Sequence, residues 1–335
     1  MIAPFEELYR DDGYRALHAA KLAINRRNAS GGIAGHSVAL LALNDNGRAE
    51  EATLQARKLA VDRDVLGVIG PIQLHTAVAA GSELGAHGLP WIVPVSIETK
   101  DLGNGFGLAA GPEELGERAV TFLVEKGVDD RIVIFSDQPT AFAGARRAAA
   151  MSGIDLLEMP LDVEAPAPAG QGYVWLNGAE DGARLAEQIS SDILANSPLI
   201  GSQGIGSSVF PARADSAAAG TWWMSSGPGR GQLDPAFIKA YRELAGMDPG
   251  PQEALIYDAA NLYLDAIERT VEQRDSLTRE SVREAILALG QQGWQGVSGQ
   301  VSWQACDCGS DVPCWRWQDA PLNLFPVESG IAVED

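Results

Sequence analysis

The sequence lacks the long apolar runs and the catalytic motifs that mark several large classes of protein. No stretch approaches the roughly 20 consecutive apolar residues of a membrane-spanning helix. The patterns G-x-x-x-x-G-K-[ST], H-E-x-x-H and G-x-S-x-G are absent, and Val209 stands where a dinucleotide-binding loop beginning at Gly204 would need its third glycine. The four histidines lie in no catalytic pattern. We therefore expect neither an enzyme nor a bound cofactor.

Basic residues are also scarce relative to acidic ones. The chain has 25 Lys and Arg against 45 Asp and Glu, for a formal net charge of -20. Such a surface repels nucleic acid and anionic lipid, so neither is an expected partner, and it favours a soluble monomer. Hydrophobic residues still make up 46% of the 335 residues, which is enough to build sizeable cores in two lobes.

The only three cysteines are grouped near the C-terminus in "CDCGSDVPC", as Cys306, Cys308 and Cys314. A disulfide from Cys306 or Cys308 to Cys314 is the simplest interpretation and would indicate an oxidising compartment. Free thiols and a metal site remain as alternatives. Because no histidine lies nearby to complete a ligand set, we expect no metal.

Apolar strands alternate with amphipathic helices along most of the chain. The strand-like runs are continuous in hydrophobicity, as in a parallel sheet covered on both faces, and occupy 37–43, 65–70, 91–95, 131–135, 173–176 and 197–201. Helical spacing is clearest at 251–273 and 278–290, and the tail after 296 alternates like an antiparallel hairpin. The pattern predicts the α/β class.

The N-terminal stretch "MIAPFEELYRDDGYR" does not have the form of an export signal, because it is acidic and its apolar run is short. Either the protein stays inside the cell, or its export signal lies outside this sequence. "MIAP" looks like the end of a strand whose beginning is missing, which favours the second interpretation.

Several motifs together resemble the solute-binding proteins of branched-chain amino acid ABC transporters. They are "NASGGIAG" (28–35), "NDNG" (44–47), "VIGP" (68–71) and "GLPWIVPVS" (88–96), with a later helical stretch at 237–267 that includes Tyr-Asp-Ala. The similarity covers nearly the whole chain. It implies a type I periplasmic-binding-protein fold, with two Rossmann-like lobes, a hinge of three crossovers and a ligand cleft between the lobes. We place lobe one at 1–113 plus 226–300 and lobe two at 114–225 plus 301–335.

The resemblance also implies which loops hold the ligand. In parallel sheets, ligands collect where loops leave the carboxyl ends of strands. The loops "GPIQLHT" and "PVSIET" are such ends in lobe one, and "SDQPTAFAG" and "SQGIGSS" are their counterparts in lobe two. The candidate ligand-binding residues are Tyr9, Arg10, Leu74, His75, Thr76, Ser96, Ile97, Phe142, Asn177 and Gln203.

At these positions the chain departs from the family's pattern for amino acids. The family's carboxylate-capping serine falls on Leu74, its threonine falls on Ile97, and the acid that neutralises the ligand's ammonium falls on Gln203. A buried ammonium without a charged partner costs several kcal/mol, in order of magnitude. We therefore expect a ligand other than a standard branched-chain α-amino acid. A neutral, amide-like, aromatic or acidic small molecule would fit.

Other polar side chains could supply contacts at these loops. Thr76 could donate where Leu74 cannot, and Arg10 could bind a carboxylate with two hydrogen bonds. A solvated ion pair is an equally simple role for Arg10, and a capping role is equally simple for His75.

The resemblance implies an extracytoplasmic binding protein of an ABC importer. Its expected partners are a small-molecule ligand and the permease subunits, and its expected location is periplasmic or extracellular, with a possible lipid anchor. The alternative is a ligand-sensing regulatory or receptor module of the same fold, similar to amide sensors.

Overall fold

The computed structural model describes residues 1–161, 166–192, 197–273, 276–307 and 313–327. The strands, in chain order, are β1 Ile2–Ala3, β2 Leu43–Asn44, β3 Val68–Ile69, β4 Trp91–Val93, β5 Phe106–Gly107, β6 Arg131–Phe135, β7 Asp155–Met159, β8 Gly172–Trp175, β9 Leu199–Gly201, β10 Trp222–Ser225, β11 Trp294–Gly296, β12 Gly299–Val301, β13 Trp303–Cys306, β14 Cys314–Trp317 and β15 Asn323–Pro326.

The helices follow the predicted amphipathic segments. They are α1 Arg10–Ala29, α2 Ala49–Val61, α3 Leu74–Ala86, α4 Thr99–Leu102, α5 Pro112–Glu125, α6 Pro139–Ser152, α7 Ala179–Asp192, α8 Val209–Ala214, α9 Pro235–Ala245, α10 Pro251–Gln273 and α11 Arg279–Gln291, with short 3-10 helices at Asp215–Ala218 and Arg230–Gln232. The bounds of α10 match the predicted 251–273, because Leu255, Ala259, Leu262 and Ala266 recur on one helical face and all four are fully buried.

The chain divides into two compact units. The first comprises Met1–Ala110 and Ser226–Pro321, and the second comprises Gly111–Ser225 and Leu322–Asp335. The third crossover therefore follows Pro321, and the prediction that it follows residue 300 was wrong. Sheet pairing explains the difference: β13 pairs with β14, and β14 pairs in turn with β5, with Trp315 opposite Phe106. Both strands belong to the first unit.

Each unit contains a mainly parallel sheet. In the first unit the order is β13-β14-β5-β4-β3, and β1 pairs with β2 in a separate two-stranded ladder. In the second unit the order is β15-β10-β9-β8-β6-β7. Only β13 and β15 run antiparallel to their neighbours in these two larger sheets, as far as the described residues show. The interior strand β6 has three consecutive fully buried residues, Ile132, Val133 and Ile134, as expected for a strand covered on both faces.

The predicted strand 37–43 forms only at its end. β2 begins at Leu43, which lies opposite Ile2 in β1. Because β1 contains two residues, the backbone before Leu43 has little to pair with. The Leu41 carbonyl accepts a hydrogen bond from the Met1 amino group at 2.8 Å, while Val38 exchanges hydrogen bonds with the side chain of Asn28.

Candidate functional site

The loop between β3 and α3 begins with a backbone conformation that requires glycine. Gly70 has φ +86° and precedes a cis peptide bond to Pro71. A Cβ at Gly70 would lie 2.6 Å from the carbonyl oxygen of Ile2, so a side chain would be excluded by both strain and contact. The turn leads into α3, whose first residue is Leu74. Leu74 is half-buried and packs against the apolar core of the first unit.

A cluster of polar side chains lies where this loop meets the loop after β2. His75 is exposed, and its Nε2 lies 2.8 Å from the carbonyl oxygen of Gly47. Asp45 is fully buried and accepts a hydrogen bond from the Gly47 N–H at 2.9 Å. Burial raises the pKa of Asp45 to about 6, opposed by the Gly47 N–H, the charge of His75 and the hydroxyl of Thr76. Thr76 is fully buried, and its hydroxyl also donates to the carbonyl oxygen of Gln73.

Tyr9 is part of this cluster of polar side chains, whereas Arg10 is not. Tyr9 is buried at the start of α1, and its ring lies close to Gly47, as does the amide oxygen of Gln73. Arg10 is exposed, with its Nε 3.2 Å from Asp11. The structure thus gathers Tyr9, His75 and Thr76 around the loop after β2 and places Arg10 in a solvated ion pair.

The loop after β4 contains two predicted residues, Ser96, which is half-buried, and Ile97, which is fully buried. The hydroxyl oxygen of Ser96 is buried and has no hydrogen-bond partner among the described residues. Ile97 is fully buried in the apolar core, and its carbonyl oxygen accepts a hydrogen bond from Nη2 of Arg316 at 2.6 Å. The structure therefore places the Ile97 side chain in the core of the first unit.

In the second unit, neutral polar residues follow the carboxyl ends of β6, β8 and β9. After β6, Ser136 and Gln138 are both buried, and the Gln138 backbone N–H donates to the Ser136 hydroxyl at 3.0 Å. After β8, Asn177 accepts a hydrogen bond from the Gly178 N–H at 2.7 Å. After β9, the Nε2 atom of Gln203 is buried without a partner among the described residues.

The loops after β8 and β9 touch through glycine. A Cβ at Gly204 would lie 2.0 Å from the carbonyl oxygen of Asn177, so only glycine permits this approach. The loops that carry Asn177 and Gln203 are therefore in direct contact. Phe142 lies on the first turns of α6 and is half-buried.

Two further candidates emerge from the structure. Asp45 lies within "NDNG", which the sequence marks as a family motif without indicating that its carboxylate is buried beside His75. Gln138 lies within "SDQPTAFAG", a loop that the sequence assigns to the site. Its position at the end of β6 was a signal that could have identified it.

The cysteine hairpin differs from the simplest interpretation. Cys306 and Cys314 lie opposite each other on β13 and β14, but no disulfide joins these two residues. The Cys314 thiol donates a hydrogen bond to the backbone carbonyl oxygen of Cys306 at 3.1 Å. A hydrogen bond from Cys314 lowers the pKa of Cys306, against the effect of burial. Cys308, the other predicted partner, lies outside the described residues.

An apolar cavity of about 570 Å³ lies in the first unit, away from these loops. Its lining includes Met1, Leu40, Leu66, Leu264 and Ile267. Met1 and Leu66 precede β1 and β3, so the cavity is at the amino ends of those strands and not at the carboxyl ends where the candidate residues lie.

The described residues offer neither a metal centre nor a membrane span. No cluster of three or more His, Cys, Asp or Glu among them could hold a metal ion. None of the helices in the described part of the chain is both long and apolar enough to cross a membrane.

Comparison with known proteins identifies the family. A family model described as periplasmic binding protein matches residues 1–309. The Leu/Ile/Val-binding protein BraC3 of Rhizobium johnstonii is 24% identical over 240 residues, which cover 66% of this chain and 65% of that protein. The match thus spans slightly less than two-thirds of that relative.

Solved structures share the fold. The branched-chain amino acid binding protein LivJ of Streptococcus pneumoniae, in complex with isoleucine, has a TM-score of 0.76 at 18% identity, covering 94% of this chain and 92% of its own. A solute-binding protein of R. palustris, in complex with benzoate, has a TM-score of 0.70 at 16% identity, covering 90% and 88%. These matches confirm the predicted fold class. The chain therefore belongs to the periplasmic binding protein family and has the type I fold of the branched-chain amino acid binding proteins of ABC transporters.

Proposed function

We propose that this protein is the solute-binding component of an ABC importer and captures a small molecule with the strand-end loops of its two units. Family membership supports a binding function, since the family is one of solute-binding proteins. The loops supply the means: buried polar groups with unused hydrogen-bonding capacity, such as Ser96 and Gln203, follow strand ends in each unit. In parallel sheets these ends are the usual places for ligands.

The ligand is not a standard branched-chain α-amino acid. The observation that carries this proposal is the neutral side chain of Gln203, which stands where the family resemblance implies an acid for the ligand's ammonium. The apolar side chain of Leu74, where the resemblance implies a serine, points the same way. The relatives differ in what their structures contain, isoleucine in one and benzoate in another, so a change of ligand on this fold is reasonable.

The proposal includes the protein's partners and location. The loaded protein acts as an extracytoplasmic monomer that delivers its ligand to permease subunits, with a lipid anchor as one means of attachment. The formal net charge of -20 supports a soluble monomer that does not bind nucleic acid. No catalytic step and no cofactor are part of this function.

A thermal-shift screen tests the proposal. Purified protein is mixed with amino acids, amides, aromatic acids and polyols, and each hit is measured by isothermal titration calorimetry. A ligand at 100 times its Kd stabilises the folded state by about 2.7 kcal/mol, which is readily detected. We expect a hit outside the branched-chain amino acids. Binding of leucine or valine at submicromolar Kd would contradict the ligand proposal, and a folded protein without any hit would contradict the binding function.

A further inference from the structure

Three neighbouring strands of the second unit are each followed by a loop residue that has a side-chain amide. β6, β8 and β9 lie side by side, with Phe135 opposite Trp175 and Trp175 opposite Gly201. Gln138 follows β6 by three residues, and Gln203 follows β9 by two. Because hydrogen-bonded strands lie about 4.8 Å apart, the two ends are separated by roughly two strand spacings, within the span of one small molecule.

These two glutamine amides have buried atoms that lack a hydrogen-bond partner among the described residues. They are Oε1 of Gln138, a residue only 5% exposed, and Nε2 of Gln203. A buried polar atom without a hydrogen-bond partner is unfavourable, so a ligand that pairs both atoms recovers their lost hydrogen bonds. Asn177 between them is already engaged, since its Oδ1 accepts from Gly178.

No buried charge stands near these amides in the described part of the second unit. Asp137 is exposed, and Glu180 is paired at 3.9 Å with Arg213 at the surface, with side-chain exposures of 45% and 57%. A ligand carboxylate or ammonium bound here would lose its hydration without gaining a counter-ion from these residues, which is a large cost in free energy. A neutral group with both a donor and an acceptor avoids that cost.

We propose that Gln138 and Gln203 bind a carboxamide group of the ligand. The Oε1 atom of Gln138 accepts from the ligand's N–H, and the Nε2 atom of Gln203 donates to the ligand's carbonyl oxygen. If both glutamine amides turn by 180°, the donor and acceptor exchange, and a carboxamide bound in the reversed orientation still satisfies both. This inference rests on the proposed binding function and narrows the ligand to neutral carboxamides.

Matched probes that differ only in the polar group test the inference. They are isovaleramide, isovalerate and isoamylamine on one carbon skeleton, and benzamide, benzoate and benzylamine on another, titrated calorimetrically at pH 7.5 into the purified chain. We expect at least one carboxamide to bind at least tenfold more tightly than its carboxylate and its amine. A carboxylate or amine that binds as tightly as its amide, or the failure of both amides to bind, overturns the inference.

Charge-introducing variants assign the contact to these residues. Gln203→Glu and Gln138→Glu each place a carboxylate beside the ligand, so we expect at least a tenfold loss of amide affinity and a gain for the matched amine. Gln304→Glu is the matched control, because Gln304 is exposed on β13 in the first unit, and its Kd should stay within twofold. Unchanged amide affinity in both test variants would refute the assignment. If a variant does not fold, the wild-type probe series still decides the ligand class.

The outcomes separate this inference from the proposed function. If an amino acid, aromatic acid or polyol binds while the amides do not, the proposed binding function is supported and the carboxamide inference is wrong. If no compound of the whole screen binds to folded protein, both fail.

Discussion

The two units differ in whether their buried polar side chains are charged. Among the described residues, every buried charged side chain belongs to the first unit, namely Asp45, Glu98, Glu253, Asp258, Arg283 and Arg316. The buried polar residues of the second unit are neutral, namely Ser136, Gln138, Thr221 and Ser225. Burying a charge requires a partner in the protein, whereas a neutral amide or hydroxyl needs a hydrogen bond alone.

The charges of the first unit are largely used to hold its own architecture. Glu253 binds Arg15 through two hydrogen bonds of 3.0 Å, tying α10 to α1. Asp258 accepts hydrogen bonds from the N–H groups of Val297 and Ser298, at 2.9 and 2.7 Å, and so holds the turn between β11 and β12. Burial raises the pKa of Asp258 to about 6, and these N–H groups oppose the rise. Buried charge in this protein is therefore mainly structural, and we propose that recognition by the second unit depends on neutral groups.

The largest expected effect comes from breaking the buried pair. Arg15→Met leaves the Glu253 carboxylate, whose side chain is 5% exposed, without its partner. We expect a loss of about 3–5 kcal/mol in the free energy of unfolding, measured by urea denaturation. The matched control in the second unit is Arg146→Met, whose pair with Glu158 is exposed at the Arg146 end.

The control should shift the denaturation midpoint far less than Arg15→Met does. Adding Glu253→Gln to Arg15→Met should recover part of the loss, because it removes the unpaired charge. Equal shifts in the two single variants would show that burial does not distinguish the units.

An intermediate effect is expected at Asp45, and it depends on pH. Its folded-state pKa is raised from 3.8 to about 6, so folding favours the protonated form, and stability is lost as pH rises from about 4 through 6. Asp45→Asn removes that loss and keeps an acceptor for the Gly47 N–H. We expect the variant to be more stable than the wild type by about 1–3 kcal/mol at pH 8 and similar to it at pH 4.

Urea denaturation of both proteins at a series of pH values measures this difference. A variant that is less stable than the wild type at pH 8 would mean that the Asp45 carboxylate makes favourable contacts that outweigh its burial. In that case the first unit would use this charge for stability despite the cost of desolvation.

The smallest effect is expected at Arg10. Its side chain is 66% exposed in the pair with Asp11, and exposed ion pairs contribute little. Arg10→Ala should leave the melting temperature nearly unchanged and alter the Kd of any ligand found by less than twofold, measured by calorimetry. A tenfold weaker Kd would instead support the contact with a ligand carboxylate that the sequence suggested.

The alternation of apolar strands and amphipathic helices predicted the class, and helical spacing predicted the helices at 251–273 and 278–290 closely. This succeeded because the period of hydrophobic residues is a local property, as in α10. The prediction of a strand over all of 37–43 was wrong because a strand needs a partner strand, and β1 offers only two residues to pair with. The predicted position of the third crossover was wrong for a similar reason. Only the pairing of β14 with β5 shows to which sheet the hairpin of β13 and β14 belongs.

The positions of the candidate loops at strand ends were predictable from the sequence. Parallel-sheet logic located the loops that hold His75, Ser96, Asn177 and Gln203, since carboxyl ends of strands can be read from the sequence. It could not show that Ile97 turns into the core, nor that the Asp45 carboxylate is buried. Those facts depend on how residues distant in sequence, such as Arg316, pack against the loop.

The sequence by itself determined the α/β class, the family, the absence of common catalytic motifs and the neutral residue at position 203. These follow from residue identity and spacing, which need no partner. Tertiary structure decided the boundary after Pro321, the absence of a disulfide between Cys306 and Cys314, and the confinement of buried charge to the first unit among the described residues. Each depends on what a strand or side chain meets across long sequence separations, and burial, pairing and desolvation exist only once those contacts have formed.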